Sequence, residues 1–225
     1  VERFVVRVWL PDRPGALGAV ASRVGAVRGD VVGIEILERG AGRAIDELVV
    51  ELPDASLLGL LVNEVGEVDG VDVEDVRPAA DRLDGRVEAL DRAATLVAAP
   101  TFPALLNGLA ASARGGFEAE WTAVVDVDDR LLLAAEGSPP PPTWLAAFVA
   151  GSRTSVAVGA PDGGPDDIAW SPLGGTPLAV VLGRRNRPFR ARERSELAAL
   201  ARIAGLRAGQ IPALGDLVSG DAGLG

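Results

Sequence analysis

The chain has 225 residues, a formal net charge of −10 and no Cys, His, Met or Tyr, and all 22 of its basic residues are arginine. Without imidazole, thiol, phenol or lysine amine, any catalysis would fall to carboxylates, and none of these stands in an evidently apolar, pKa-raising setting. The acidic balance argues against nucleic acid and anionic membrane surfaces as partners, and no apolar run approaches the roughly 18 residues of a membrane span.

No basic-then-apolar leader opens the chain, and the lack of Cys fits a cytoplasmic setting. A non-enzyme without metal or cofactor is therefore expected. The length allows one large domain or two small ones.

Residues 3–9 alternate as a strand. Leu17, Val20, Val24 and Val27 then recur at three- and four-residue steps, the apolar face of a helix. Between them stands Asp12-Arg13-Pro14-Gly15-Ala16-Leu17. Pro14 suits a first helical turn, and Gly15 leaves the backbone bare for close approach. The N–H groups of Ala16, Leu17 and Gly18 are expected to point outward at the positive end of the helix dipole, where a small anion can bind. Taken alone, these six residues read first as an ordinary capped helix start.

Gly29-Asp30 breaks the helix ahead of a second strand over 31–38, and the glycines of 39–43 predict a hairpin turn. A third strand over 44–52 carries Leu48, Val50 and Leu52 on one face. Asp54 is placed to cap a helix over 55–65, and Gly70 precedes a fourth strand over 71–76. The order strand, helix, strand, strand, helix, strand is the split βαβ arrangement of ferredoxin-like domains.

Over residues 3–78 the chain resembles the ACT domain family. The resemblance rests on Asp12, Pro14 and Gly15 of the turn, on Leu17, Val20 and Val24 of the helix, and on the Gly29-Asp30 break leading into Ile34. It implies a regulatory module, usually dimeric, that binds an amino acid or similar small ligand at the domain interface. By the same resemblance, backbone groups of Gly15, Ala16, Leu17 and Gly18 surround the ligand together with Asp30, Val31 and Val32. Asp30 stands where many amino-acid-binding members have asparagine, and some members bind nothing and serve only to dimerise. An α-ammonium would need an acceptor, and Asp12 or Asp30 can supply one. Asp12 also reads as a turn aspartate bonded to its own backbone.

Residues 79–99 are expected to form a connecting helix, with Leu83, Val87, Leu90, Ala94 and Val97 in heptad spacing. The stripe either docks on the next domain's sheet or pairs between chains. Another helix starts between Pro100 and Pro103. A strand over 118–127 turns through Asp126-Val127-Asp128-Asp129 into a strand over 131–135, and a hairpin fits that turn better than a calcium loop. Ser138 and four prolines predict a stiff loop. A short helix over 143–150, strands over 154–158, 168–171 and 177–183, and a helix over 195–207 follow.

This half resembles a GAF domain, most specifically over 178–184, Pro188-Phe189 and 193–204, which look like that family's last strand, turn and terminal helix. Trp121, Trp144 and Trp170 are candidates for a pocket lining, though core packing is the usual role of such residues. Six arginines (184, 185, 187, 190, 192 and 194) either hold a phosphate or acidic partner, or form a solvated turn that pairs with the chain's own carboxylates. The second is preferred.

The expected organisation is α+β. A ferredoxin-like βαββαβ (ACT) domain at 1–78 is followed by the connecting helix at 79–99, a GAF-like sheet domain at 100–208 and a poorly ordered tail at 209–225. The expected function is a cytoplasmic, homodimeric or higher-order sensor that signals to an unidentified protein partner. Its alternative is a ligand-free dimerisation scaffold.

Overall fold

A computed structural model describes residues 1–79, 85–157 and 167–211. The chain forms two compact units, Val1–Leu83 with Arg190–Arg192, and Asp84–Phe189 with Glu193–Gly225. Leu83, Val158, most of the loop expected over 159–167, and residues 212–225 of the expected tail lie outside the described residues.

The N-terminal unit runs β1 (Glu2–Pro11), α1 (Ala16–Ala26), β2 (Asp30–Gly40), β3 (Arg43–Leu52), a 3-10 turn (Ala55–Leu57), α2 (Leu58–Gly66) and β4 (Asp72–Pro78). The order in its antiparallel sheet is β2-β3-β1-β4, the ferredoxin-like βαββαβ arrangement expected. Strand alternation decides the two faces. Phe4, Val6, Val8 and Leu10 point with Leu48, Val50 and Leu52 into a core closed by Val20 and Val24 of α1 and Leu61 and Val65 of α2. Asp54 accepts from the Ser56 N–H at 2.7 Å, starting the second helical segment as expected.

The opposite face carries a charged ladder. The Arg3 and Arg7 guanidiniums donate to Glu51 and Glu47, and Arg77 donates to both Glu47 and Asp75.

The C-terminal unit comprises α3 (Gly85–Val97), α4 (Phe102–Gly116), β5 (Trp121–Asp126), β6 (Leu131–Glu136), α5 (Pro142–Ala157), β7 (Ile168–Pro172), β8 (Leu178–Gly183) and α6 (Ala191–Ala208). Its antiparallel sheet has the order β6-β5-β8-β7 and is covered on both faces. Leu178, Val180 and Leu182 of β8 join Val124 in a core with residues of α4 and α6. Ala179 and Val181 join Ala123 and Val125 against Leu145, Ala146 and Val149 of α5. Double burial explains the uninterrupted apolar run of β8.

Several expectations change. The helix expected over 143–150 continues to Ala157, so the strand expected from 154 does not form there. The last of the four prolines opens that helix, as N1 tolerates. The connecting helix packs on α4 through Leu96 and belongs to the C-terminal unit. Its heptad stripe does not dock on that unit's sheet, for Val87, Leu90, Ala94 and Val97 are exposed.

The arginine turn pairs with the chain's own carboxylates, as preferred, but it is not solvated throughout. Arg184, 4% exposed, donates to the carbonyls of Phe117, Arg187 and Pro188 and to Glu193. Arg187 is also buried and pairs with Glu118, and Arg185 pairs with Glu120.

Candidate functional site

The turn between β1 and α1 is held from below, where the Asp12 N–H donates to the Gly42 carbonyl at 2.9 Å. Gly15 is the N-cap of α1, with φ 88° and no side-chain cap. Pro14 therefore lies outside the helix rather than in its first turn. A Cβ on Gly15 would meet nothing within 4 Å, so the space beside this backbone is open. The Ala16 N–H donates to the Arg13 carbonyl and Ala16 is buried, which removes one of the three donors expected. The Leu17 and Gly18 N–H groups precede the first intrahelical bond. Thus α1 begins with free donors, bare backbone and no acidic side chain in its first turn.

The Asp12 side chain makes no hydrogen bond to the turn among the described residues, so the turn-aspartate reading does not describe it.

The second group of residues lies elsewhere. β2 runs parallel to β1 with β3 between them. Asp30 stands opposite Glu51, level with Arg3 at the start of β1; Arg39 stands opposite Ala44, level with Leu10 at its end. At about 3.4 Å per residue, Asp30, Val31 and Val32 are roughly 25 Å along the sheet from the turn. Within one protomer the two groups named by the resemblance do not meet.

What meets the turn is the far end of β2 and the central strand β3. Ile34 and Ile36 stand opposite Leu48 and Asp46, and opposed residues share a face, so both isoleucines lie on the helix side of the edge strand. Val32 occupies a register shift between Val31 and Gly33. Val32, Ile34 and Ile36 are 46%, 50% and 38% exposed, on a strand whose outer edge has no partner among the described residues.

Asp46 is the acidic residue that sequence reasoning missed. It is 3% exposed, and its Oδ1 atom is buried without a hydrogen-bond partner. Burial pushes its carboxyl above the ordinary value, Arg39 pulls it down, and Asp12 adds to the rise. This corrects the expectation that no carboxylate sits in such a setting. The signal was present in the alternation of Ala44, Asp46 and Leu48, which places Asp46 on the apolar face.

In the C-terminal unit Trp121 and Trp170 pack half-buried against the cluster between sheet and α5, while Trp144 is exposed and stacks on Phe148 at 5.4 Å. Only the first two line that core. Among the described residues no group of three His, Cys, Asp or Glu is placed to hold a metal ion, and no helix is long and apolar enough to cross a membrane.

No protein-family model matches the chain, and the search of curated proteins returns no significant match. Solved structures do match. The ACT domain of GTP pyrophosphokinase from Chlorobium tepidum is 15% identical, covering 35% of this chain and 97% of its own, with a TM-score of 0.29. An ACT domain protein from Streptococcus pneumoniae is 16% identical over 37% of this chain and 99% of its own, with a TM-score of 0.30. The structural neighbours include ACT domains.

The GAF domain of an Acinetobacter phosphoenolpyruvate-protein phosphotransferase is 11% identical over 57% of this chain and 95% of its own, with a TM-score of 0.42. The chain is thus similar to an ACT-like unit followed by a GAF-like one, and the two antiparallel sheets agree with that order.

Proposed function

We propose that this protein is a non-enzymatic, cytoplasmic sensor in which two ACT-like units form a homodimer and bind an amino acid, or a similar small molecule, at their interface. The supporting observation is the separation of the two residue groups along β2. Antiparallel pairing of two β2 edges about a two-fold axis would carry the Asp30 end of one protomer towards the Arg39 end of the other, beside its turn. The same pairing covers Val32, Ile34 and Ile36, which otherwise leave an apolar edge in water. Leu17 and Gly18 would supply donors to a carboxylate. Asp12, or Asp30 of the second copy, offers an acceptor to an ammonium. Ligand binding would shift the balance between dimer arrangements, by no more than its difference in affinity for them, and an unidentified protein partner would read the change.

The exposed edge equally supports a dimerisation scaffold that binds no ligand, and one experiment separates the two readings. Thermal unfolding of the full chain is followed with each of the twenty amino acids. At 100 times its dissociation constant, a ligand stabilises the native state by about 2.7 kcal/mol. A shift with one amino acid that disappears in Gly15→Val, in a variant that still melts cooperatively, supports the sensor, because the side chain fills the open space beside the turn; at φ 88° it also strains the backbone, so the variant's own melt is the control. Silence across all twenty, with the dimer intact, leaves the scaffold.

A further inference from the structure

The helix α3 is apolar on two sides. On one, Leu96 is buried beside Gly108 of α4. On the other, Val87, Leu90, Ala94 and Val97 follow one another at steps of three, four and three residues. All four are exposed, Leu90 by 69%. A helix at a protein surface ordinarily buries one apolar stripe and turns a polar face to water. A second stripe, away from α4, calls for a second partner.

The stripe itself says what that partner is. Its period is that of a heptad, which fits another helix through knobs-into-holes packing and matches neither a strand nor an extended peptide. In heptad terms Val87 and Ala94 stand at a, and Leu90 and Val97 at d. A β-branched residue at a with leucine at d is the pattern of two-stranded parallel pairs, and Val87 with Leu90 has it. By sequence position Arg86 is a g residue and Asp91 the e residue that follows it. Across a parallel pair of identical helices, g meets the next e of the other strand, so arginine would face aspartate twice. An antiparallel pair sets g against g and e against e, like charge against like.

We infer that α3 pairs with α3 of a second copy, parallel and in register, along Val87, Leu90, Ala94 and Val97. The seam is short, about three turns, against the roughly 800 Å² per partner that a standard interface buries. It closes once the homodimer proposed above has brought two copies together and made the contact effectively intramolecular. The inference therefore rests on the dimer reading and deepens it, by adding a contact outside the N-terminal unit.

The chain has no cysteine, so single cysteines report on the pairing directly. Val87→Cys, Leu90→Cys and Thr95→Cys are each made in the full chain and oxidised with a copper–phenanthroline complex. Thr95 is exposed at a b position and sets the rate of chance collision. Disulfide-linked dimers should form at 87 and at 90 about tenfold faster than at 95 or better, as a held contact requires. In the Leu90→Cys chain, Arg86→Glu should slow the reaction, and adding Asp91→Arg should restore it. All the substitutions avoid the buried residues, and thermal melts check that each variant folds.

A rate at 87 or at 90 no faster than at 95, in a chain that sediments as a dimer, overturns the inference and leaves the dimer reading standing. Cross-linking of a mixture of Val87→Cys and Val97→Cys chains, when neither cross-links alone, overturns it in favour of an antiparallel pair. A wild-type chain that sediments as a monomer at every concentration overturns the dimer reading, and this inference with it.

Discussion

Asp46 and Glu47 are neighbours on β3 whose side chains point to opposite faces of the sheet, and their acidities move in opposite directions. Burial also penalises the Glu47 anion, but Arg77 and Arg7, each donating to it, outweigh that penalty and hold its carboxyl below 4.5. A lowered carboxyl contributes stability that is present above 4.5 and is lost as pH falls through its folded value. Glu47→Gln should therefore destabilise the chain at pH 7 by roughly 1.5–3 kcal/mol, the usual cost of losing charge-assisted hydrogen bonds, since Arg7 keeps Glu74 and Arg77 keeps Asp75. The deficit should shrink as denaturation is repeated at pH below 4.5.

Asp46 has the reverse sign. Its raised carboxyl favours the fold below 3.8, and that contribution is lost as pH rises through the folded value. Asp46→Asn should raise the unfolding free energy at pH 7, and the gain should vanish in acid. Denaturant titrations at pH 7 and at pH 3, below both ordinary carboxyl values, check both signs, and a stabilised Glu47→Gln would refute the role given to its two arginines.

At the scale of elements, β2 is the strand whose behaviour matters most. Its core-side residues are apolar; Val31 packs against the core that α1 and α2 close through Val20, Val24, Leu61 and Val65, but Ile34 and Ile36 stay exposed. Among the described residues the strand is left with an edge that no other strand pairs and with exposed isoleucines. Replacing Ile34 with Glu places a charge in the middle of the proposed pairing while leaving the buried core untouched. Sedimentation should show the Ile34→Glu chain as a monomer with a wild-type far-ultraviolet spectrum. A dimer of unchanged strength would move the interface elsewhere, to the exposed stripe of Val87, Leu90, Ala94 and Val97 on α3 in the first instance.

Element identity was largely legible, since strands and helices of the N-terminal unit follow from periodicity and from Gly and Asp at the breaks. The extension of α5 was not, because β-branched and small residues around 154–157 suit a strand locally, and the helix continues there against that propensity.

For the whole molecule, a site assembled from two protomers has a thermodynamic consequence. Ligand and dimer must reinforce one another by the same factor, whichever is varied. Adding the amino acid that raises the melting temperature should tighten the dimer dissociation constant measured by sedimentation, and Gly15→Val should abolish the tightening. A ligand that stabilises the chain without any change in dimer affinity would place its site within one protomer.

The sequence alone determined the βαββαβ order, the break before α1, the apolar run of β8 and the absence of the usual catalytic side chains, because each depends on contiguous residues and their period. It could not bring Asp12 and Asp30 together or apart, since strand order and direction decide which ends of a sheet meet. Nor could it reveal that Arg184 is buried beneath three carbonyls, because those acceptors come from residues 117, 187 and 188, two of them nearby and one far along the chain. Asp46 lies between these cases. Its parity was written in the strand, but its want of a partner appeared only when the core had closed around it, for a missing contact is a property of the tertiary structure.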